Sequence, residues 1–403
     1  MKILFVQPTI NPPGGGELVA AWLVEALKDE HELTLLSFDR PRLDDCNRHF
    51  GTTLAARDFR VELAWPAAWR VLGRWPLRVQ RLKGAMLTRT CLRLAPHYDL
   101  VVTANNEMDL GGCGVQYVHF PQPLLFTPGH RLDGQPPPSL SLRLYLAACS
   151  RIARDSVERI RTNVTLVNSD WTGRWTERVH PIRTRTVYPP VPTDFPGVPW
   201  EDRWDAAIAI GRLSPEKRFE RVIDIVSALR DAGNPLRLTI AAFAGDPIYA
   251  AKIRSLAARR QEWVTLRENL DNAALNALIP RHRYGIHAMQ NEHFGIAVAQ
   301  MVKAGCITLV AQGGGPEEIV GGEPRLLFSS AADAVERWRE ILASPALQFQ
   351  LRSHLAARAP LFSTERFERE IRDVVREAFE ARRNSASADI VTQGAHHRSD
   401  LDL

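Results

Sequence analysis

The sequence predicts an α/β protein of two Rossmann-like, doubly wound parallel-sheet domains in tandem. Three observations carry that reading. The chain opens as β–loop–α–β, a second βα series begins after a proline-rich stretch near residue 190, and 403 residues suit two domains at about 100–200 residues each.

Residues 3–6, Ile3-Leu4-Phe5-Val6, form a continuous apolar run stopped by Gln7-Pro8. Such a run predicts a strand buried on both faces. The turn-forming Asn11-Pro12-Pro13-Gly14-Gly15-Gly16 follows. Leu18, Val19, Trp22, Leu23, Ala26 and Leu27 then recur at helical spacing, and residues 33–38 give the next strand. Further strands are predicted at 100–103, 116–120 and 164–167, with a helix over 140–161. Tyr188-Pro189-Pro190-Val191-Pro192 reads as a linker, because its prolines cannot serve in a helix interior or a central strand. The second series has strands at 206–210, 236–242, 284–288 and 307–311 and a helix over 219–229.

The domains are therefore expected at 1–188 and 189–360, followed by a helix over 361–382. Its charged, amphipathic part, 364–382, carries Phe367, Ile371, Val374, Val375 and Phe379 on one face. Residues 383–403 are polar and aperiodic and are expected to be disordered.

With 45% hydrophobic residues, both halves can build cores. The net charge of +5 leaves anionic partners of several kinds open. Five scattered cysteines (Cys46, Cys91, Cys113, Cys149, Cys306) lack any CxxC spacing, which argues against a disulfide framework or zinc site and favours a reducing cytoplasm. The apolar run at Met1 is too short for a signal peptide, and no stretch approaches the roughly 20 apolar residues of a membrane span.

Four segments carry chemistry. Asn291-Glu292-His293-Phe294-Gly295-Ile296-Ala297 follows a predicted strand and opens a helix. The first amides of a helix lack internal partners and face the positive end of its dipole, which makes an anion site, and Gly295 lets a phosphate approach the backbone closely. Glu292 can accept hydrogen bonds from sugar hydroxyls. Gln300 lies roughly 7–8 Å further along the helix axis, a suitable distance from a diphosphate to a ribose. Gly211-Arg212-Leu213-Ser214-Pro215-Glu216-Lys217 also follows a strand, and Arg212 and Lys217 can neutralise a leaving diphosphate. Gly14, Gly15 and Gly16 make a loop with little side-chain bulk, able to approach a phosphate or sugar. It is not a dinucleotide fingerprint, since GxGxxG from Gly14 would need glycine where Val19 stands. His119 ends the strand in Gln116-Tyr117-Val118-His119-Phe120-Pro121, at the edge where open α/β sheets bind ligands.

Together these segments resemble the retaining GT-B glycosyltransferases of glycosyltransferase family four, nearly from end to end. Within that family the resemblance is to the mannosyltransferases that extend dolichol-linked oligosaccharides. It is carried by Tyr117-Val118-His119-Phe120-Pro121, Val167-Asn168-Ser169-Asp170-Trp171-Thr172, Val187-Tyr188-Pro189-Pro190 and Glu292-His293-Phe294-Gly295-Ile296. The resemblance implies two domains facing across a cleft that holds the donor, and a last helix that returns to the N-terminal domain. It implies GDP-mannose as donor and a glycan or lipid-linked glycan as acceptor. Arg212 and Lys217 would meet the donor diphosphate, Glu292 the sugar hydroxyls, the amides of Phe294, Gly295, Ile296 and Ala297 phosphate, His119 the sugar from the N-terminal side, and the 14–16 loop the donor phosphates.

One departure stands out: the family's E-x7-E ends in Gln300 rather than glutamate. An amide offers one acceptor oxygen where a carboxylate offers two with charge, so ribose contact is expected to change. No metal cofactor is expected, because Arg212, Lys217 and the helix start supply positive charge, and Asp400-Leu401-Asp402 lies in the polar tail. Between 61 and 93, seven basic residues (Arg70, Arg74, Arg78, Arg81, Lys83, Arg89, Arg93) and Trp65, Trp69 and Trp75 suit an anionic membrane surface. The chain is thus expected to sit peripherally on the cytoplasmic face of a membrane, without nucleic acid as a partner. A nucleotide-sugar epimerase and a membrane-bound partner subunit with a decayed site remain open alternatives.

Overall fold

The computed structural model describes residues 1–64, 80–121 and 139–399. The tryptophans and three of the arginines of the basic 61–93 stretch, at 65–79, and the Asp400-Leu401-Asp402 string lie outside the described residues. Two compact units divide the chain. Met1–Asn168, Thr172–Val187 and Phe367–Leu403 form the first, and Ser169–Trp171 with Tyr188–Arg366 the second.

Among the described residues the first unit is built on seven strands: β1 (Lys2–Val6), β2 (Glu32–Ser37), β3 (Phe59–Leu63), β4 (Leu100–Thr103), β5 (Val115–Val118), β6 (Val164–Val167) and β7 (Thr184–Thr186). They pair in the order β3-β2-β1-β4-β5-β6-β7, and every neighbouring pair is parallel. The period of two along each strand splits the core. Ile3, Phe5, Leu33, Leu35, Leu100 and Val102 pack on one face with the helix Gly15–Leu27. Leu4, Val6, Leu36 and Val101 pack on the other with Leu87 and Cys91 of the helix Gln80–Leu94. Burial on both faces is why β1 reads as an unbroken apolar run. The edge strand β3 alternates buried and solvent-facing residues, and β7 has only three, so neither carries that signal.

The C-terminal helix belongs to this core. Phe367, Ile371, Val374, Val375 and Ala378 are each at most 1% exposed, and the four large ones stabilise the unit by roughly 1.5–3 kcal/mol apiece. Arg372 pins the helix, donating to the Ala26 carbonyl at 2.8 Å. Phe362, fully buried, packs instead in the second unit's core, so the return to the first unit starts at Phe367 rather than at 361. The helix spans Thr364–Ser399. It therefore continues past 382, where the sequence composition favours disorder; alanines at 386, 388 and 395 are compatible with helix.

The helix expected over 140–161 is two helices, Leu140–Ala153 and Val157–Arg161. Arg154 ends the first in the left-handed region (φ 56°), and Ser156 caps the second by accepting from the Arg159 amide.

The second unit has six parallel strands: β8 (Trp204–Arg212), β9 (Arg237–Phe243), β10 (Val264–Glu268), β11 (His282–His287), β12 (Ile307–Ala311) and β13 (Leu327–Phe328), in the order β10-β9-β8-β11-β12-β13. One large apolar cluster fills it, including Ile208, Ile240, Ile286 and Trp338. In each sheet the strand order reverses beside the unit's first strand, between β1 and β4 and between β8 and β11. The crevice beyond the carboxyl ends of the strands at such a reversal is where open α/β sheets bind ligands. Among the described residues, no helix is long and apolar enough to cross a membrane.

Candidate functional site

In the second unit the predicted residues converge on the β8/β11 reversal. β8 runs out at Gly211-Arg212, and a short 3-10 turn, Pro215–Lys217, redirects the chain. Gly211 makes room for the next side chain: a Cβ there would lie 3.3 Å from Cγ and Cδ of Lys217. The Lys217 ammonium bonds the Glu292 carboxylate and donates to Met289 Sδ at 3.3 Å. Arg218 ties the same two loops together, donating to Gln290 Oε1 at 2.8 Å.

Glu292 is presented by the loop after β11. His287, the last residue of β11, places Nε2 3.3 Å from Glu292 Oε2, at ion-pair range without good hydrogen-bond alignment. Burial alone would raise the Glu292 carboxyl. The His287 ring and the Lys217 ammonium outweigh that, and hold it far below its ordinary value of 4.5. The side chains of Lys217 and Glu292 are 16% and 14% exposed, so this charge pair is poorly screened by water.

The sign of the shift sets a pH dependence. A carboxyl whose folded value is depressed contributes stability that is fully present above 4.5 and is lost as pH falls toward the folded value. The stability difference between wild type and Glu292→Gln is expected to shrink as pH drops from about 6 to about 3, measured by urea unfolding at each pH. A difference constant over that range would contradict an ionised Glu292.

The helix Ile296–Lys303 starts at Gly295, whose φ of 102° and ψ of 63° favour glycine. The amides of Ile296 and Ala297 have no carbonyl behind them within the helix, while those of Val298 and Ala299 bond the Gly295 carbonyl. Phe294 is buried between Tyr188 and Phe362, with ring centroids 5.9 and 6.0 Å away. Gln300 is half-buried, on the second turn of the helix. Arg212 stands apart: its side chain is 70% exposed and its nearest acid is Glu216, at 3.8 Å.

Three further features complete the site and were not singled out from the sequence. His287 and Met289 flank the Lys217–Glu292 pair. The run Gly313-Gly314-Gly315 after β12 supports the Glu292 loop backbone to backbone: the Gly315 amide donates to the Glu292 carbonyl and the Asn291 amide to the Gly313 carbonyl, both at 2.8 Å. A Cβ on Gly314 would lie 2.7 Å from the Glu292 carbonyl oxygen, and one on Gly315 2.4 Å from that of His293. A three-glycine run ending a strand was the available signal.

In the first unit, Gly14, Gly15 and Gly16 follow β1 and open the helix Gly15–Leu27, with Gly14 as its N-cap. His119 follows β5. A Cβ on Gly16 would sit 3.5 Å from His119 Nε2, so the glycine loop and the ring are neighbours. His119 Nε2 lies 3.0 Å from the Ala104 carbonyl, which can only accept, so that nitrogen carries the proton. Asn106 fixes the His119 backbone, its side-chain oxygen accepting from the amide at 2.7 Å.

Residues 193–361 match the family of glycosyl transferases group 1. The GDP-Man:Man(3)GlcNAc(2)-PP-Dol alpha-1,2-mannosyltransferase of Homo sapiens is 28% identical over 230 residues, covering 51% of this chain and 47% of that protein. The Candida glabrata protein of the same name is 29% identical over 170 residues, covering 38% of this chain and 34% of its own length. The chain thus spans about half or less of the length of these curated relatives. The structure of Anabaena Alr3699/HepE in complex with UDP matches with a TM-score of 0.67 at 16% identity, over 94% of this chain and 100% of that one. At that identity the likeness speaks for the fold alone. The chain has the two-sheet GT-B fold, and its residues 193–361 are similar to the glycosyl transferases group 1 family.

Proposed function

We propose that the chain is a retaining hexosyltransferase. It moves mannose from GDP-mannose to a hydroxyl of a glycan or lipid-linked glycan, without a metal cofactor, at the cytoplasmic face of a membrane. The observation that carries the reading is the buried Lys217–Glu292 pair beside His287, set at the strand reversal next to the Gly295-started helix. The relatives named above, whose own names specify GDP-Man and a PP-Dol-linked acceptor, support the donor and acceptor classes.

In this reading Glu292 accepts from the sugar hydroxyls, and Lys217 and Arg212 neutralise the diphosphate as the bond from the anomeric carbon to phosphate oxygen breaks. The amides of Ile296 and Ala297, with the Phe294-Gly295 backbone, hold phosphate oxygens. His119 is assigned to the transferred sugar, and the loop of Gly14, Gly15 and Gly16 to the donor phosphates. The acceptor hydroxyl forms the new bond from the same face, and its proton passes to the departing phosphate oxygen. The chain's own cations supply the charge that a metal would otherwise bring.

Incubation with GDP-mannose and a lipid-linked oligosaccharide, followed by mass spectrometry, tests this. Gain of one hexose on the acceptor is expected. Conversion of the nucleotide sugar to an isomer without acceptor would point to an epimerase, and absence of any turnover would contradict catalysis.

Gln300 is proposed to tune ribose contact. Gln300→Glu is expected to change GDP or UDP affinity by about fivefold, the equivalent of roughly 1 kcal/mol, in calorimetry. Identical affinities in both proteins would remove Gln300 from the ribose site.

A further inference from the structure

Four arginines meet on the first unit away from its strand reversal. The helices Gln80–Leu94 and Leu140–Ala153 pack together through Leu82, Ala85, Tyr145, Cys149 and Ala153. This brings Arg89 and Arg93 near Arg154, which ends the second helix, and Arg159, which lies in the helix Val157–Arg161 that follows. With Leu92 and Gly111 they line an open pocket of about 570 Å³. Arg93 and Arg159 precede β4 and β6, and Gly111 precedes β5, so the pocket belongs to the amino-terminal edge of these strands. The loop of Gly14, Gly15 and Gly16, and His119, follow the carboxyl ends. The pocket is therefore a different place from the candidate site.

Its charge is uneven. Arg159 is already compensated by the buried Asp109, with Nη2 2.6 Å from Oδ2 and Nε donating at 2.9 and 3.0 Å. It also donates to the Arg154 carbonyl at 3.0 Å, which fixes that wall. Among the described residues, Arg89, Arg93 and Arg154 have no carboxylate within ion-pair range. Three uncompensated guanidiniums around one concavity favour an anion, and their planar forks match the oxygens of a phosphate. Ile152 and Val157, on either side of Arg154, are 44% and 46% exposed, apolar surface next to the cationic pocket. That pairing fits a phosphate carried on a lipid better than one free in water.

We propose that this pocket is a phosphate-binding site that takes the phosphomonoester headgroup of an anionic lipid. The assignment gives the membrane reading above a defined contact, and its test uses neither nucleotide nor acceptor, so it can fail while the transferase reading stands.

The test is co-sedimentation of the full chain with vesicles of phosphatidylcholine, with and without phosphatidic acid, alongside calorimetry with inorganic phosphate. Binding only to vesicles containing phosphatidic acid is expected. Arg89→Gln/Arg93→Gln should weaken it by on the order of tenfold or more, at about fivefold per arginine, with an unchanged Tm. Arg93→Gln alone serves if the double variant fails to fold. Arg48→Gln/Arg57→Gln removes equal charge from exposed positions of the same unit and should retain most binding. Phosphate binding in solution, lost in the Arg89→Gln/Arg93→Gln variant and without vesicle binding, would support the site but overturn the lipid as its source. Binding to neither, or equal loss in both double variants, would overturn the site.

Discussion

Replacing Glu292 with glutamine is expected to destabilise the second unit and to slow transfer together. Lys217 and Glu292 are both mostly buried, and removing one charge leaves the other uncompensated in a poorly solvated place. Breaking such a pair costs about 3–5 kcal/mol, and the retained shape and acceptor oxygen of glutamine put this variant near the lower figure. On the proposed function, transfer should fall on the order of 100-fold, because glutamine would offer the sugar hydroxyls no charged acceptor and the ammonium, freed from its partner, would no longer be held toward the diphosphate. Lys217→Met/Glu292→Gln separates the two effects. It should recover part of the lost stability, since no lone charge remains, while activity stays down. With Lys217→Met completing the cycle, single-variant losses that sum to the loss of the double variant in urea unfolding would show that the two groups are not energetically coupled.

Gly315→Ala is expected to be nearly as harmful, for a different reason. Gly315 has ordinary helical angles, φ −57° and ψ −29°, so alanine brings no backbone strain. The added methyl would sit 2.4 Å from the His293 carbonyl oxygen and 2.8 Å from the Phe294 Cα, and both obstacles are backbone. Relief requires the loop that carries Glu292 to move. A cost of about 1–3 kcal/mol is expected from overpacking alone. Nucleotide affinity should fall by on the order of tenfold or more, since small displacements of a binding loop are costly. Gly84→Ala is the control: nothing lies within 4 Å of its Cβ, in the interior of the helix Gln80–Leu94. It should be neutral or stabilise by about 0.5–1 kcal/mol. Equal losses at the two positions, read as Tm and calorimetric affinity, would contradict the steric account.

These contrasts also show which parts of the molecule can be read from sequence. The central strands β1, β4, β8 and β12 announce themselves because burial on both faces demands largely apolar runs. β10 and β13 do not: one alternates with polar residues and the other has two. Glu292 and Lys217 are legible because each follows a predicted strand. Their direct pairing is not, since it depends on β8 and β11 becoming neighbours although β9 and β10 lie between them in sequence. His287 was hidden for the same reason, being one more residue of a strand until the sheet places it beside Glu292. The glycines at 313–315 look like any turn, and only the opposing backbone of Glu292 and His293 shows why side chains are excluded there. In sequence, Arg89 and Arg93 belong to a basic stretch. Their neighbours Arg154 and Arg159 come from a distant helix pair that no local pattern connects to them.

In the proposed function, the loops after β8 and β11 form a binding site for a nucleotide sugar. Calorimetric titration with GDP-mannose, on the wild type, Lys217→Ala and Gly84→Ala, tests it most directly. The account predicts saturable one-to-one binding to wild type and Gly84→Ala, and at least about tenfold weaker binding to Lys217→Ala, as loss of a charge-assisted phosphate contact implies. Binding that Lys217→Ala leaves unchanged, or no binding by a folded wild type, would contradict it.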